Sequence, residues 1–186
     1  MELFAEQGYG ATSIPEICAR AGLTKGAFYS NFDSKDALFL ALMDRSWQRR
    51  AERIRSVLPA GETLGRAFEG RSALPALETD RQWTLVSTEF SLHAIRRPEV
   101  AALLVQHETR VRSELADLIG TSLERAGRVP TVPAVELARM IVAVTEGSDI
   151  QTLTDAAAGA GVHARQGQRA VAALLRHFSR PADAAG

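Results

Sequence analysis

The sequence has little cysteine, few aromatic residues and no long apolar run. Its 186 residues include one cysteine, Cys18, and aromatic residues make up 6% of the chain. A single cysteine excludes an internal disulfide and suits a reducing compartment. No apolar stretch approaches the ~18 residues of a membrane span, and Glu2 and Glu6 stand where a signal peptide needs basic residues. These absences predict a cytoplasmic protein with no membrane partner.

The chain also lacks an excess of charge of either sign. Its 22 basic and 22 acidic residues balance, which argues against a nucleic-acid coat over the whole surface but permits a local DNA-binding patch. Four histidines and one cysteine give no pair at metal-ligand spacing. No nucleophile–base set, phosphate loop or paired-carboxylate motif is present. The sequence therefore predicts no metal, no cofactor and no enzymatic activity.

Alanine and leucine abound, which favours helices, and two short helices joined by a tight turn lie near the N-terminus. The first is predicted over Ile14–Ala21, after the N-cap residues Thr12 and Ser13. Gly22 can take the left-handed conformation that ends a helix, and Thr24 caps a second helix from Lys25 to about Asn31. Two helices joined by such a turn are typical of a helix-turn-helix. In that motif the second helix enters the major groove of DNA.

The same stretch resembles the signature of the TetR family of transcriptional regulators. The matching residues are Gly8-Tyr9, Ala11-Thr12-Ser13, Ile17, Ala21-Gly22, Lys25-Gly26, Phe28-Tyr29, Phe32 and Ser34-Lys35. The resemblance implies an all-α fold in which an N-terminal helix-turn-helix DNA-binding head joins a larger helical body for ligand binding and dimerisation. We place the head at residues 1–45, with a connecting helix continuing to about residue 58, and the body at residues 60–180.

Compared with the family, the first helix, ending near Gln7, is short and lacks a basic arm, so we expect it to be truncated or short by nature. The rest of the chain reads as helices and shows no strand with period-two alternation. Helices are predicted over Thr63–Leu74, Asp80–Arg97, Pro98–Ala126, Pro133–Ala158 and His163–Phe178.

The candidate DNA contacts lie at the start of the second helix, which meets base edges in this motif. Lys25 can donate to guanine or phosphate, and Ala27 offers a methyl group to thymine. Hydroxyls and free N–H groups at the start of the preceding helix suit a phosphate, although capping alone also explains them. The predicted set is Thr12, Ser13, Thr24, Lys25, Gly26, Ala27, Tyr29, Asn31 and Lys35.

The resemblance implies two further sites in the body. An effector pocket is expected there, and each of its candidates also reads as core: Phe68, Trp83, Phe90, His93 and His107. A homodimer is expected through the last two long helices, although the same residues would fill the core of a monomer. The interface candidates are Met140, Ile141, Val144, Gly147, Leu174, Leu175 and Phe178.

These features predict a ligand-responsive transcriptional repressor. A small-molecule effector of unknown identity would release the homodimer from a palindromic operator in double-stranded DNA. A ligand-binding or interaction protein with an impaired DNA-binding head is the alternative, because residues 1–58 carry eight basic against seven acidic residues and the first helix is short. An all-helical enzyme is a third, less supported reading.

Overall fold

The computed structural model describes residues 1–56, 81–160 and 166–182. Within these ranges the chain forms eight α-helices and one antiparallel pair of strands. The helices are α1 (Glu2–Gln7), α2 (Ile14–Ala21), α3 (Lys25–Tyr29), α4 (Lys35–Ser56), α5 (Arg81–Ile95), α6 (Pro98–Arg125), α7 (Ala134–Ala157) and α8 (Gln166–His177), and the strands are β1 (Arg128–Pro130) and β2 (Ser179–Pro181). The all-α prediction is confirmed, and the helix predicted over Thr63–Leu74 lies outside the described residues.

The ends of the long helices coincide with prolines and glycines in the sequence. Helix α6 begins at Pro98 and α7 begins directly after Pro133, because a proline has no N–H to leave unpaired in a first turn. Gly127 and Gly159 follow the C-terminal ends of α6 and α7 with φ angles of 64° and 69°. Glycine adopts this left-handed backbone without steric cost, so these positions stop the helices.

The pair of strands was not expected from the sequence. Each strand has three residues, and the register pairs Arg128 with Pro181, Val129 with Arg180 and Pro130 with Ser179. The Arg128 side chain reinforces the pair, since its Nε donates to Ser179 Oγ at 2.9 Å and its Nη2 donates to Ser179 O at 2.5 Å. Strands this short, each ending in proline, have no alternating pattern to read.

The chain divides into two compact units. The first unit contains α1, α2, α3 and the N-terminal part of α4, together with α5 and the N-terminal part of α6. The second contains the remaining parts of α4 and α6, the two strands, α7 and α8. The helix-turn-helix is therefore packed in one unit with α5, although the sequence-based division assigned α5 to the body.

Aromatic rings form the centre of the first unit. The Tyr9 ring lies 5.7 Å from Phe4, 5.2 Å from Phe39 and 5.0 Å from Phe90, measured between centroids. All four side chains are buried. Tyr9 meets Phe39 and Phe90 edge to face and stacks on Phe4, and such pairs add to the stabilisation that comes from burying the rings. The short α1 is held in this cluster through Phe4.

The second unit is built on the contact between α7 and α8. Leu137 and Val171 are buried in it, and α8 approaches α7 closely at Gly167. A Cβ atom built at Gly167 would lie 2.8 Å from Ser148 Cβ. This separation is too short for any side chain at position 167, so glycine permits the approach.

Candidate nucleic-acid interface

The N-terminus of α2 is closed by a capping box. Ser13 Oγ accepts from Glu16 N at 3.4 Å, and Ser13 N donates to Glu16 Oε2 at 2.9 Å. Hydrogen bonds from the Ser13 hydroxyl and backbone N–H hold the pKa of the exposed Glu16 carboxyl below its usual range. Thr12 has a different role from the predicted cap, because its buried hydroxyl donates to Gly8 O at 2.7 Å. Ser13 alone therefore caps α2 with its side chain, and Thr12 fixes the preceding loop.

The turn and α3 match the sequence prediction closely. Gly22 has φ 66° and ends α2, and Thr24 Oγ1 accepts from Ala27 N at 3.1 Å to cap α3. Phe28 is buried against the head, whereas Lys25 and Tyr29 are exposed. Helix α3 thus turns its aromatic anchor inward and presents a polar face to solvent.

Two more predicted contacts lie in and just after α3. Gly26 is exposed, and a Cβ atom there would meet only Thr24 Oγ1 at 3.7 Å. Asn31 follows the helix, and its Nδ2 donates to Ala27 O at 2.9 Å. The side chain of Asn31 is therefore engaged with the last turn of α3.

Lys35, predicted to clamp a phosphate, is hydrogen-bonded within the head. Its Nζ donates to Tyr9 O and to Thr12 O, each at 2.7 Å, and lies 4.4 Å from the centroid of the Tyr9 ring. Burial lowers the pKa of this ammonium group. An ammonium has three N–H donors, and two of them hold the loop between α1 and α2. A phosphate contact by Lys35 stays a prediction.

Tyr9 is the centre of a second set of polar contacts in the first unit. Its hydroxyl donates to Asp36 Oδ1, which also lies 2.9 Å from His93 Nε2. Its backbone N–H donates to Glu89 Oε2 at 2.6 Å. Burial raises the pKa of the Tyr9 hydroxyl, and the Asp36 carboxylate raises it further. We call the segment Gly8–Ser13, which these contacts hold, the α1–α2 loop.

The described candidates for effector binding all lie in the first unit. Trp83 stacks on Phe39 at 6.0 Å and Phe90 is fully buried. His93 contacts Asp36 as described, and the buried His107 places Nδ1 2.7 Å from Asp44 Oδ1. Phe68 lies outside the described residues. The four described side chains are packed or paired in this structure, and an effector-binding role for them stays a prediction.

A cavity of about 390 Å³ in the second unit was not found from the sequence. Its lining carries two arginines, two carboxylates and two hydroxyls around one leucine. The lining residues are Arg55, Glu114, Asp117, Leu118, Thr121, Ser122 and Arg125. The residues from α6 recur at three- and four-residue spacing, which places them on one helix face. From the sequence alone, a helix face of mixed charged and polar residues predicts a solvated surface. The structure shows that Arg55, near the end of α4, lies beside this face.

The predicted dimer residues divide into two groups. Ile141 and Leu175 are buried inside the second unit. The other five keep part of their surface exposed: Met140, Val144, Gly147, Leu174 and Phe178. A Cβ atom at Gly147 would meet nothing within 4 Å. The partly exposed group lies on the surface of α7 and at the end of α8.

Two negative observations apply to residues 1–56, 81–160 and 166–182. These ranges hold no group of three or more His, Cys, Asp and Glu side chains suited to a metal ion. None of their helices combines the length and hydropathy needed to cross a membrane.

A capped pair of short helices that exposes the polar face of the second defines a helix-turn-helix DNA-binding regulator. Residues 1–42 match the family of bacterial regulatory proteins named after TetR, and residues 70–180 match the C-terminal domain of BetI-type transcriptional repressors. The second match alone covers more than half of the chain. The chain belongs to the TetR family of transcriptional regulators.

Individual relatives agree with this assignment. The chain is 35% identical over 68 residues to the HTH-type regulator YuxN of Bacillus subtilis, a match that covers 37% of this chain and 23% of YuxN. It is 26% identical over 146 residues to the HTH-type regulator UidR of Escherichia coli, covering 78% of this chain and 74% of UidR. The chain thus spans about a quarter of the first relative and three quarters of the second.

The fold is also found among solved structures. A transcriptional regulator from Saccharomonospora viridis, solved in complex with choline, has a TM-score of 0.63 and 21% sequence identity. The match covers 96% of this chain and 92% of that one. At this identity the likeness establishes the shared fold alone.

Proposed function

We propose that this chain is a homodimeric repressor that binds a palindromic DNA operator in the cytoplasm and leaves it when a small-molecule effector binds. Its role is regulatory and not catalytic. The observation that carries the proposal is the exposed start of α3, formed by Thr24, Lys25 and Gly26. The buried Phe28 packs the opposite side of the helix into the protein. Membership of the TetR family and the match to BetI-type repressors over residues 70–180 support it.

In this proposal α3 contacts the bases and the start of α2 contacts the backbone. Lys25 is the exposed cation at the N-terminal end of α3, suited to guanine or phosphate. Ala27 and Tyr29 follow Lys25 in the same short helix, where a methyl group can meet thymine and a hydroxyl can reach phosphate. The helix dipole at the N-terminus of α2 favours a phosphate. Because the capping box uses Ser13 N and Glu16 N, the Ile14 N–H is the group of the first turn that we expect to donate to it.

We assign dimerisation to the partly exposed surface of α7 and α8. Two-fold pairing would present two α3 helices to half-sites separated by about one turn of DNA, ~34 Å. The candidate residues with exposed surface are Met140, Val144, Gly147, Leu174 and Phe178. Sedimentation equilibrium of the purified protein tests this assignment, because a monomer at micromolar concentration would contradict it.

Release by an effector requires that the effector bind two states of the repressor unequally. A shift from about 1% to 99% of one state needs ~10⁴-fold difference in affinity. Helix α4 runs without a break from the first unit into the second, so it is the element through which we expect the two states to differ. The choline complex of the Saccharomonospora viridis regulator supports the idea that this fold accepts a small molecule.

Fluorescence anisotropy with the DNA that flanks the gene of this chain tests the DNA-binding part. Lys25→Ala should weaken specific binding, and loss of a phosphate contact would also lower the slope of log K against log salt by ~0.9 for each subunit. Arg180→Ala, at an exposed position on β2, is the matched control for removal of one positive charge. Equal binding by both variants would contradict the role of Lys25.

Failure of the unchanged protein to bind any flanking DNA in competitor would favour the alternative, a ligand-binding protein with an impaired head. If the unchanged protein binds, addition of candidate effectors to the preformed complex tests release. A compound that dissociates the complex and also raises the melting temperature of the free protein would support the proposed regulation.

A further inference from the structure

The α1–α2 loop is held from outside the helix-turn-helix. Glu89 lies in the middle of α5, 80 residues beyond Tyr9 in sequence, and its Oε2 accepts from Tyr9 N at 2.6 Å. The same carboxylate lies directly over Gly8, where a Cβ atom would be 2.7 Å from Oε2. Gly8 has φ 84°, so both the backbone and the space around it suit glycine only.

This contact fixes the segment that leads into the DNA-facing end of α2. Tyr9 is 1% exposed, whereas Glu89 is exposed on α5, so its carboxylate ties a buried residue of the loop to a solvated helix. On the other side of the same residue, Lys35 donates to Tyr9 O. The peptide groups on both sides of Tyr9 are thus fixed by two charged side chains, one from α5 and one from α4.

We propose that Glu89 is a positioning residue for DNA binding, because its carboxylate holds the α1–α2 loop in the conformation that places Ser13 and the start of α2. Glu89 itself touches no DNA in this proposal. The proposal rests on the proposed operator binding. It adds a residue of α5 to the set that determines operator affinity, beyond the helices that contact DNA.

The direction of the change in DNA affinity distinguishes a positioning role of Glu89 from a purely electrostatic one. Removing a carboxylate near DNA reduces repulsion and should strengthen binding if charge alone matters. Loss of positioning acts in the opposite direction and weakens binding. The apparent dissociation constant equals the intrinsic constant divided by the fraction of molecules whose loop is in place. If about one molecule in ten retains the loop, Glu89→Ala weakens operator binding about tenfold.

The experiment compares three variants of the full chain by anisotropy, at a temperature where circular dichroism finds all of them folded. Glu89→Ala should weaken operator binding about tenfold without changing the salt slope, because no phosphate contact is lost. Glu89→Gln keeps an oxygen that can accept from Tyr9 N and should recover most of the affinity. Glu99→Ala removes an exposed carboxylate near the start of α6 and is the charge control.

Amide hydrogen exchange at Tyr9 reports the contact itself. Exchange should be faster in Glu89→Ala than in Glu89→Gln or the unchanged protein. Folded Glu89→Ala that binds the operator as tightly as the unchanged protein, or more tightly, would overturn the role of Glu89 and leave the proposed function standing. An unchanged protein that binds no operator would overturn both.

Discussion

Replacement of Tyr9 by phenylalanine tests the central contact of the head with one deleted atom. The substitution keeps the ring that packs between Phe4, Phe39 and Phe90. It removes only the hydroxyl that donates to Asp36. Any loss of stability therefore comes from the hydrogen bond and not from the aromatic packing.

The magnitude follows from the type of bond. A hydrogen bond to a charged group contributes ~1.5–3 kcal/mol net. Asp36 keeps its contact with His93 at 2.9 Å, so its carboxylate is not left without a partner. We therefore expect the low end, about 1.5 kcal/mol. For a chain of this size each kcal/mol shifts the melting temperature by ~2–4 °C, which predicts a decrease of ~3–6 °C.

Differential scanning calorimetry at neutral pH and fixed protein concentration measures this difference. Tyr29→Phe is the matched control, because Tyr29 is 55% exposed and its hydroxyl is open to water. The control should melt within about 1 °C of the unchanged protein, as most exposed substitutions do. If Tyr9→Phe were as stable as the control, the assignment of Asp36 as a stabilising partner would be refuted.

The difference in stability between the unchanged protein and Tyr9→Phe should depend on pH in the alkaline range. Burial, and then Asp36, raise the pKa of Tyr9 above its ordinary value of 10.0. The stability that comes from the protonated hydroxyl is complete below about pH 10 and is lost as pH rises further, because only the unfolded state then ionises. The advantage over Tyr9→Phe should therefore shrink above about pH 10, by up to ~1.4 kcal/mol per pH unit.

Three further substitutions test the local geometry by chemical denaturation. Gly8→Ala should cost ~1–3 kcal/mol, because it forces a side chain into φ 84° and against Glu89. Ser13→Ala should cost ~0.5–2 kcal/mol through loss of the capping box. Gly167→Ala should cost ~1–3 kcal/mol, since its Cβ would collide with Ser148.

Two other glycines serve as controls for these substitutions. A Cβ atom at Gly10 or at Gly120 would meet nothing within 4 Å, and neither residue has a positive φ. Gly10→Ala should be nearly neutral, and Gly120→Ala inside α6 should stabilise by ~0.5–1 kcal/mol. Equal losses for the controls and for Gly8→Ala or Gly167→Ala would contradict the steric argument.

The sequence predicted the helices well because their signals are local. Ser13, Gly22 and Thr24 specify caps and a stop through bonds that connect near neighbours in the chain, so their positions can be read without knowledge of the fold. The contacts of Lys35 and Glu89 could not be read in this way. Each joins segments that are distant in sequence, and a lysine or a glutamate on a helix ordinarily indicates a solvated face.

The same difference explains why the surroundings of some candidate residues were easier to predict than those of others. Lys25 and Tyr29 are exposed, and their contact with DNA stays a prediction. Phe90 was placed among the ligand candidates because its spacing marks an inward face, yet periodicity does not say which unit that face packs into. In the structure Phe90 packs in the same unit as the helix-turn-helix.

Helix α3 is too short to hold its own position. Five residues make little more than one turn, and isolated helices below ~12 residues are marginal in water. Its placement must therefore come from the buried Phe28, from the Thr24 cap and from its packing against α2. Helix α2 in turn follows the α1–α2 loop, which Glu89 of α5 holds at Tyr9. The protection of the Tyr9 amide and the affinity of α3 for DNA should consequently vary together among variants of Glu89.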